Sequence, residues 1–461
     1  MKTILTVLLF FFHFGAFAQY WVKYQGGNNT DETLAITSDN SNNSFTTGYF
    51  STAAEVNGQN LSVAGLTDMF LTKIDAFGNS QWSVSAGGTG SDRGLGVAVD
   101  GSGNVLVCGF FTGSMNFGNG VAITSNGNSR DIYVAKYNSS GVAQWAKAAG
   151  SGGNNDRANS VAVAGDGSVY ITGEFSGEAD FGSISISSLA GSTDAFIAKY
   201  SSDGSELWAK KGSGDTSDRG LAVITDSQGD VYACGTFNGD ITFDNTYSNS
   251  IQNALFVVKY SAEGDEEWVR WAGGSSQSIA YDIDTDGSGV YITGDFGESI
   301  TFFGGSGTNV LNSAYENSVF IVKYSGSGGY QWGQSQGSGS AVSARGISYR
   351  DNSIGITGFH ECTFESLSEI YGESLFNSIG FRDAFVMRYT ASGSFNWARN
   401  FGSHTDETPT GITILSDGIE VVTGVFTGDL IFTTAGAVDG EVFLNFSPNI
   451  NTNYCDDPNY G

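Results

Sequence analysis

Proline and histidine are nearly missing from this 461-residue chain, at three residues each, and cysteine is scarce at four. Beyond the first eighteen residues the histidines reduce to His360 and His404, and no Ser-His-Asp signature can be picked out around either. No paired-carboxylate signature stands out among the scattered acids, so neither a catalytic constellation nor a cofactor is expected. Carboxylates brought together from distant repeats would leave no linear motif. Four cysteines are too sparse for a disulfide framework, and the chain is long enough to bury a core without one. Basic side chains number 20 against 48 acidic ones, and a net charge of -28 repels nucleic-acid phosphates and anionic lipid. Nucleic acid is therefore excluded as a partner. No apolar run beyond the N-terminus approaches the ~20 residues of a membrane span, so direct membrane insertion is not expected.

The apolar run that does exist is N-terminal. Lys2 precedes Ile4 to Phe17, and Ala16, Phe17 and Ala18 form a small-x-small cleavage signature before Gln19. Residues 1–18 have the form of a signal peptide, which predicts export to the periplasm, the cell envelope or the medium. No cysteine follows the cleavage point to carry a lipid.

Glycine (66), phenylalanine (33), tyrosine (20) and tryptophan (8) are abundant, the composition of many short strands joined by tight turns. The tryptophans expose a repeat: Trp21, Trp82, Trp145, Trp208, Trp268, Trp332 and Trp397 lie 60 to 65 residues apart. Four residues before each Trp from Trp82 onward stands a glycine (Gly78, Gly141, Gly204, Gly264, Gly328, Gly393), as a turn with positive φ requires. The run before that turn, Asp194 to Tyr200 in the third repeat, is apolar on both faces, like a strand buried on both sides. A second hairpin precedes it, with a glycine in every copy of its second arm: Gly48, Gly109, Gly173, Gly235, Gly294, Gly358 and Gly424.

Each unit thus supplies strands a, b, c and d, named from the centre outward. Strand d occurs first at Tyr20 to Tyr24, before any strand a, and the last unit ends after strand c near Phe446. The pattern predicts an all-β, seven-bladed β-propeller of four-stranded blades over residues 19–446, with the N-terminal strand completing blade 7, and a short tail at 447–461. Cys108 and Cys234 occupy the same position in blades two apart, beyond the ~7 Å reach of a disulfide, and read as small buried hydrophobes. Pairing of Cys362 with Cys455 is left open.

These units resemble the SBBP family, the bacterial β-propeller repeat found in exported proteins. The resemblance rests on Asp-Ala-Phe-Ile-Ala-Lys-Tyr (194 to 200), the Ser-Asp-Gly turn, Trp208, Gly-Ser-Gly-Asp (212 to 215) and Val-Tyr-Ile-Thr-Gly (169 to 173). It spans nearly the whole chain after residue 18 and departs in blade 5, at Ser276 and Gln277, and in blade 7, at Phe446. It implies a fold and an exported location, with no reaction attached.

Strand order puts the short a–b and c–d turns on one face and the b–c and d–a connections on the other. The b–c connections (51–67, 112–130, 176–193, 238–252, 297–317, 359–382, 427–440) differ from unit to unit, and variable loops on a rigid frame are where binding resides. In the d–a connections Asp92-Arg93, Asp156-Arg157 and Asp218-Arg219 recur, with Arg345 alone in blade 6 and Asp31-Glu32 and Asp406-Glu407 in blades 1 and 7. These form either a charged binding rim or a set of arginines that pair with a carboxylate or backbone carbonyl and fix the loops, the second being the plainer expectation. His360 and Glu361 open the longest connection. His360 stands where other units carry Phe50, Phe111, Phe175, Phe237, Phe296 and Phe426, which favours a packed aromatic substitute over a metal ligand. Asp282, Asp284 and Asp286 before Gly287 resemble the start of a calcium loop, yet Thr293 occupies the position of the closing Glu, so ordinary turn chemistry is favoured and no metal is assigned.

The leading expectation is a non-catalytic binding or scaffolding propeller of the envelope or exterior, engaging a protein or glycan through the b–c and d–a face. A subunit of an envelope secretion or adhesion complex, bound to membrane proteins, is one alternative. A carbohydrate-active or quinone-dependent propeller enzyme is another, and raised carboxylate pKa values clustered at the channel mouth would favour it.

Overall fold

In the computed structural model the described residues are 25–26 and 31–434, except 57, 215, 245, 248–252, 275, 304–308, 339, 367–373 and 427–430. The segment expected as a signal peptide, the strand expected at 20–24, the expected strand c of unit 7, the tail, Cys455 and the side chain of Cys362 lie outside them. Every regular element among the described residues is a β-strand, and the sheets are antiparallel. The chain is all-β, with propeller-like sheets.

Unit 2 is typical: strands a to d run over Arg93–Val99, Val105–Thr112, Arg130–Tyr137 and Ala143–Ala149 and pair in that order. The other strands a are Glu32–Ser38, Arg157–Val163, Arg219–Thr225, Ser278–Thr285, Val342–Arg350 and Glu407–Ile414. Each lies against the strand a of the next unit, and that of unit 7 lies against that of unit 1. Side chains tie this last joint: Ser38 Oγ meets Thr413 Oγ1 at 2.7 Å, and Thr410 Oγ1 donates to the Thr33 carbonyl at 2.8 Å.

Strands b and c are apolar on both faces because each sheet is covered on both faces. Leu106, Cys108, Ile132 and Val134 of unit 2 pack against Ile171, Phe175 and Phe196 of unit 3, and such layers recur between successive sheets. Cys108 and Cys234 are free and buried in these layers, as small core residues.

Two sequence features take their meaning from packing. Strand a carries a bulge in every unit, as between Gly94 and Gly96 or Ala158 and Ser160. The strand-b glycine lies against it; a methyl group on Gly109 would stand 1.9 Å from the Arg93 carbonyl oxygen. The turn glycines Gly78, Gly141, Gly204, Gly264, Gly328 and Gly393 have positive φ, 77° at Gly141, which also seats the Trp of the preceding unit. A Cβ there would reach 2.9 Å from the Trp82 ring, while Trp82 Nε1 donates to the Ser139 carbonyl at 3.0 Å. Trp145 and Trp208 repeat the contact with Gly204 and Gly264.

Several b–c connections expected as loops are instead hairpins, such as Ser114–Gly118 with Val121–Thr124 and Glu178–Phe181 with Ile184–Ser187. Their alternation, with Ala179 and Phe181 buried between exposed residues, is too short to stand out in sequence. These hairpins also join units edge to edge. In units 3 to 6 the end of strand d pairs with the connection of the next unit, as Ser213 with Thr242 and Gly273 with Thr301. Gln25–Gly26 pairs in the same manner with Glu55 and Val56 of unit 1.

Candidate binding face

The face bearing the d–a and b–c connections is built on buried carboxylates. Asp92 enters strand a of unit 2 with both oxygens engaged by backbone donors, Gly88 N at 2.8 Å and Thr112 N at 3.1 Å. Asp156 repeats this with Ser151 N and Ser176 N, Asp31 and Asp218 accept from Ser51 N and Asn238 N, and Glu407 accepts from Ser403. Burial raises Asp92 to about 6, and it raises Asp156 as well. These residues clamp one strand end to the next.

The arginines beside them form the surface of the rim. Arg157 and Arg219 both pair with Glu174, at 3.0 Å each, so one carboxylate bridges units 3 and 4. Arg93 instead stacks on Tyr49, 3.7 Å from the ring centre. The plain expectation of carboxylate or carbonyl partners therefore describes two arginines, and aromatic stacking describes Arg93. Arg345 is not their structural counterpart: it is the extra residue of the strand-a bulge in unit 6 and lies over Tyr281, 4.0 Å from the ring centre.

That bulge position generates a feature absent from the sequence reading. The seven extra residues, Leu34, Leu95, Asn159, Leu221, Tyr281, Arg345 and Thr410, all line the central channel, a cavity of about 460 Å³ walled by the strands a. Their identities differ while the bulge that aims them stays constant, and a β-bulge is a device for re-aiming a side chain. Beside Arg345, Asp295 is raised to about 6 by burial, a rise opposed by Ser343 and by the Arg345 charge. Glu174, Tyr49, Tyr281 and Asp295 were not singled out in sequence because each is an ordinary strand residue until the ring brings it to the rim.

His360 is fully buried, with its ring Nε2 2.9 Å from Asn400 Oδ1, and Asn400 Nδ2 donates to Asp383 at 3.1 Å. It occupies the site of an aromatic and does not reach a partner, which removes it from the binding face. Glu361, at the rim, pairs with Arg382 at 3.0 Å. Asp282, Asp284 and Asp286 do not converge. Asp282 accepts from Ile347 N at 2.9 Å and Asp284 from Tyr349 N at 2.6 Å, capping the neighbouring strand a, whereas Asp286 turns away to Lys323 at 2.6 Å. Enclosure raises Asp282 to about 7 and Asp284 to about 6, while Lys323, Ser288 and Tyr291 hold Asp286 far below the carboxylate range. Among the described residues no group of three or more His, Cys, Asp or Glu side chains is placed to hold a metal ion.

No family model matches this chain. It is similar to an uncharacterized WD repeat-containing protein of Acanthamoeba polyphaga mimivirus, 25% identical over 228 residues, covering 41% of this chain and 16% of the viral protein. It is also similar to the regulatory protein FlaEY of Caulobacter vibrioides, 28% identical over 152 residues, 32% of this chain and 15% of that protein. The chain therefore matches about a sixth of the length of these curated relatives, and what the similarity to the WD repeat-containing protein supports is a propeller-like repeat protein.

Proposed function

We propose that the protein is a non-catalytic binding scaffold, a seven-bladed propeller exported to the envelope or exterior, that takes a protein or glycan on its d–a and b–c face. The single observation that carries this is the contrast between a constant frame and variable tips. The c–d turns share one hydrogen-bond pattern, with Gly78 N to Asp75 O and Gly141 N to Asn138 O at 2.9 Å, while the bulge residues and hairpins of the other face change from unit to unit. The blade count is supported by the seven strands a that follow one another back to the first. Closure by the N-terminal strand is supported by Gln25–Gly26, which pairs as a preceding strand d would. The WD-repeat likeness and the SBBP-like repeats favour the same class.

The test is affinity capture from envelope and culture-fluid fractions with the tagged chain from residue 19, beside a Tyr281→Ala/Arg345→Ala variant and a control changed on the opposite face at the exposed Phe77. One stoichiometric partner, retained by the control and lost by the rim variant, is expected. Equal capture by all three refutes the assigned face.

A second reading, a carbohydrate-active enzyme, is favoured by the raised carboxylates of unit 5 around the channel, Asp282, Asp284 and Asp295. Against it, Asp282 and Asp284 spend their oxygens on backbone donors. Hydrolysis of any member of a glycan panel, abolished by Asp295→Asn, would establish it in place of the scaffold.

A further inference from the structure

A carboxylate pair recurs at the joints between units. The residue that opens strand c of one unit stands beside the residue that opens strand a of the next, because the backbone N–H of the second donates to the carbonyl preceding the first: Asp92 N to Thr67 O and Asp156 N to Arg130 O, both at 2.9 Å. Asp68 therefore faces Asp92, and Asp131 faces Asp156. All four side chains are at least 97% buried. No lysine or arginine among the described residues forms an ion pair with any of them; Arg93 and Arg130, next in sequence, lie over aromatic rings.

Like charges enclosed together are costly unless something neutralises them. The structure carries three further signs that something does. Asp68 Oδ1 is buried without a hydrogen-bond partner. Backbone that carries no side chain lies directly against these oxygens and leaves them uncovered by a methyl group: one on Gly87 would stand 2.4 Å from Asp68 Oδ1, and one on Gly150 would stand 3.1 Å from both Asp131 Oδ1 and Asp156 Oδ2. The acids also come and go as pairs. At the joint of units 4 and 5 the two positions are Ala254 and Ser278, and at that of units 5 and 6 they are Ser318 and Val342. A carboxylate serving only its own backbone clamp would have no reason to vanish with its neighbour.

We propose that the joints of units 1 and 2 and of units 2 and 3 each bind a hard divalent cation, calcium in preference to magnesium, between Asp68 and Asp92 and between Asp131 and Asp156. Hard cations take carboxylate, hydroxyl, carbonyl and water oxygens, and calcium tolerates an irregular set where magnesium demands a near-ideal octahedron. The Ser129 and Ser151 hydroxyls already lie at the second site, the latter 2.8 Å from Asp156 Oδ2. Two carboxylates per ion place the affinity in the roughly 0.1–1 mM range of extracellular calcium modules. Two other joints have internal substitutes. The Lys211 charge favours the ionised form of Asp194, and Asn400 donates to Asp383.

The experiment uses the chain from residue 19, stripped with chelator and dialysed at constant ionic strength. Equilibrium dialysis with radioactive calcium is expected to give two ions per chain, falling to one in Asp68→Asn and in Asp131→Asn. The unfolding midpoint is expected to rise by several degrees between 0 and 10 mM calcium, with magnesium giving less than half that rise. An Asp244→Asn change at an exposed acid serves as control and leaves both readouts unaltered. Should the Asn variants fail to fold, the stoichiometry of the unaltered chain still decides. Absence of bound ion at 10 mM calcium, or equal binding by folded Asn variants and control, overturns the proposal.

Discussion

Asp282 caps the inner strand of the next unit, and its charge is the lever for a sharp test. Its carboxylate accepts from Ile283 N and Ile347 N, both at 2.9 Å, on the channel wall. Enclosure, with a smaller contribution from Asp284, raises it from the ordinary 3.8 to about 7. A carboxyl whose folded pKa lies above its unfolded one stabilises the fold fully below the unfolded value, and that contribution is lost as pH rises through the folded value. The gap corresponds to about 4 kcal/mol at 1.36 kcal/mol per pKa step, and halving it for the solvent in the channel leaves about 2 kcal/mol. Asp282→Asn removes that pH dependence but retains a single acceptor oxygen, losing about 1 kcal/mol for one of the two bonds. The stability curves of the two proteins therefore cross. At pH 5, where over a third of that contribution is already lost, the two proteins are nearly equal, and at pH 8.5 the variant leads by about 1 kcal/mol. Urea unfolding followed by tryptophan fluorescence at both pH values reads the difference directly. Parallel curves, with the same offset at pH 5 and 8.5, refute the assignment of Asp282 as an enclosed acid.

Further expectations follow from the joints and the core. Gly141→Ala is predicted to cost about 2 kcal/mol more than Gly113→Ala, since both glycines have positive φ but Gly141 alone of the two seats a tryptophan ring, and thermal unfolding of the pair isolates that contact. Phe256→Ala, deleting a buried ring that lies 5.2 Å from Phe243, should cost about 3–5 kcal/mol by chemical denaturation. Lys259, enclosed by Asp230 and Glu267 at 2.8 Å each, is held charged; Lys259→Met should cost about 3 kcal/mol, with most of the loss recovered when Asp230 is replaced by Asn in the same chain. In a Cys362→Ser/Cys455→Ser background, the thiols of Cys108 and Cys234, pushed up by complete burial, should react with a thiol reagent only on unfolding.

The unit and its strands were legible in sequence because their causes are local. Apolar runs such as Asp194–Tyr200 mark strands covered on both faces, and the spacing of Gly204 to Trp208 marks the hairpin that follows. The acidic character of the chain followed from a charge of -28, a property that does not depend on folding. The His360 site was legible as an aromatic position, because the repeat aligned it with Phe111 and Phe175.

What the rim presents was not legible. Arg345 looked like a fourth member of the Arg93, Arg157 and Arg219 series, and only the bulge register shows it two positions further on, turned to Tyr281 at the channel mouth. Glu174 acquired a role when two units placed Arg157 and Arg219 on either side of it, and Asp68 and Asp92, 24 residues apart, became a pair across a joint. Sequence by itself determined the repeat, its strands and the sign of its surface, since backbone propensity, apolar alternation and net charge are properties of short stretches or of simple sums. Tertiary structure alone decided which residues of different units share a joint, since one bulge residue or one interblade hydrogen bond changes a side chain's neighbours without altering the pattern that predicted its strand.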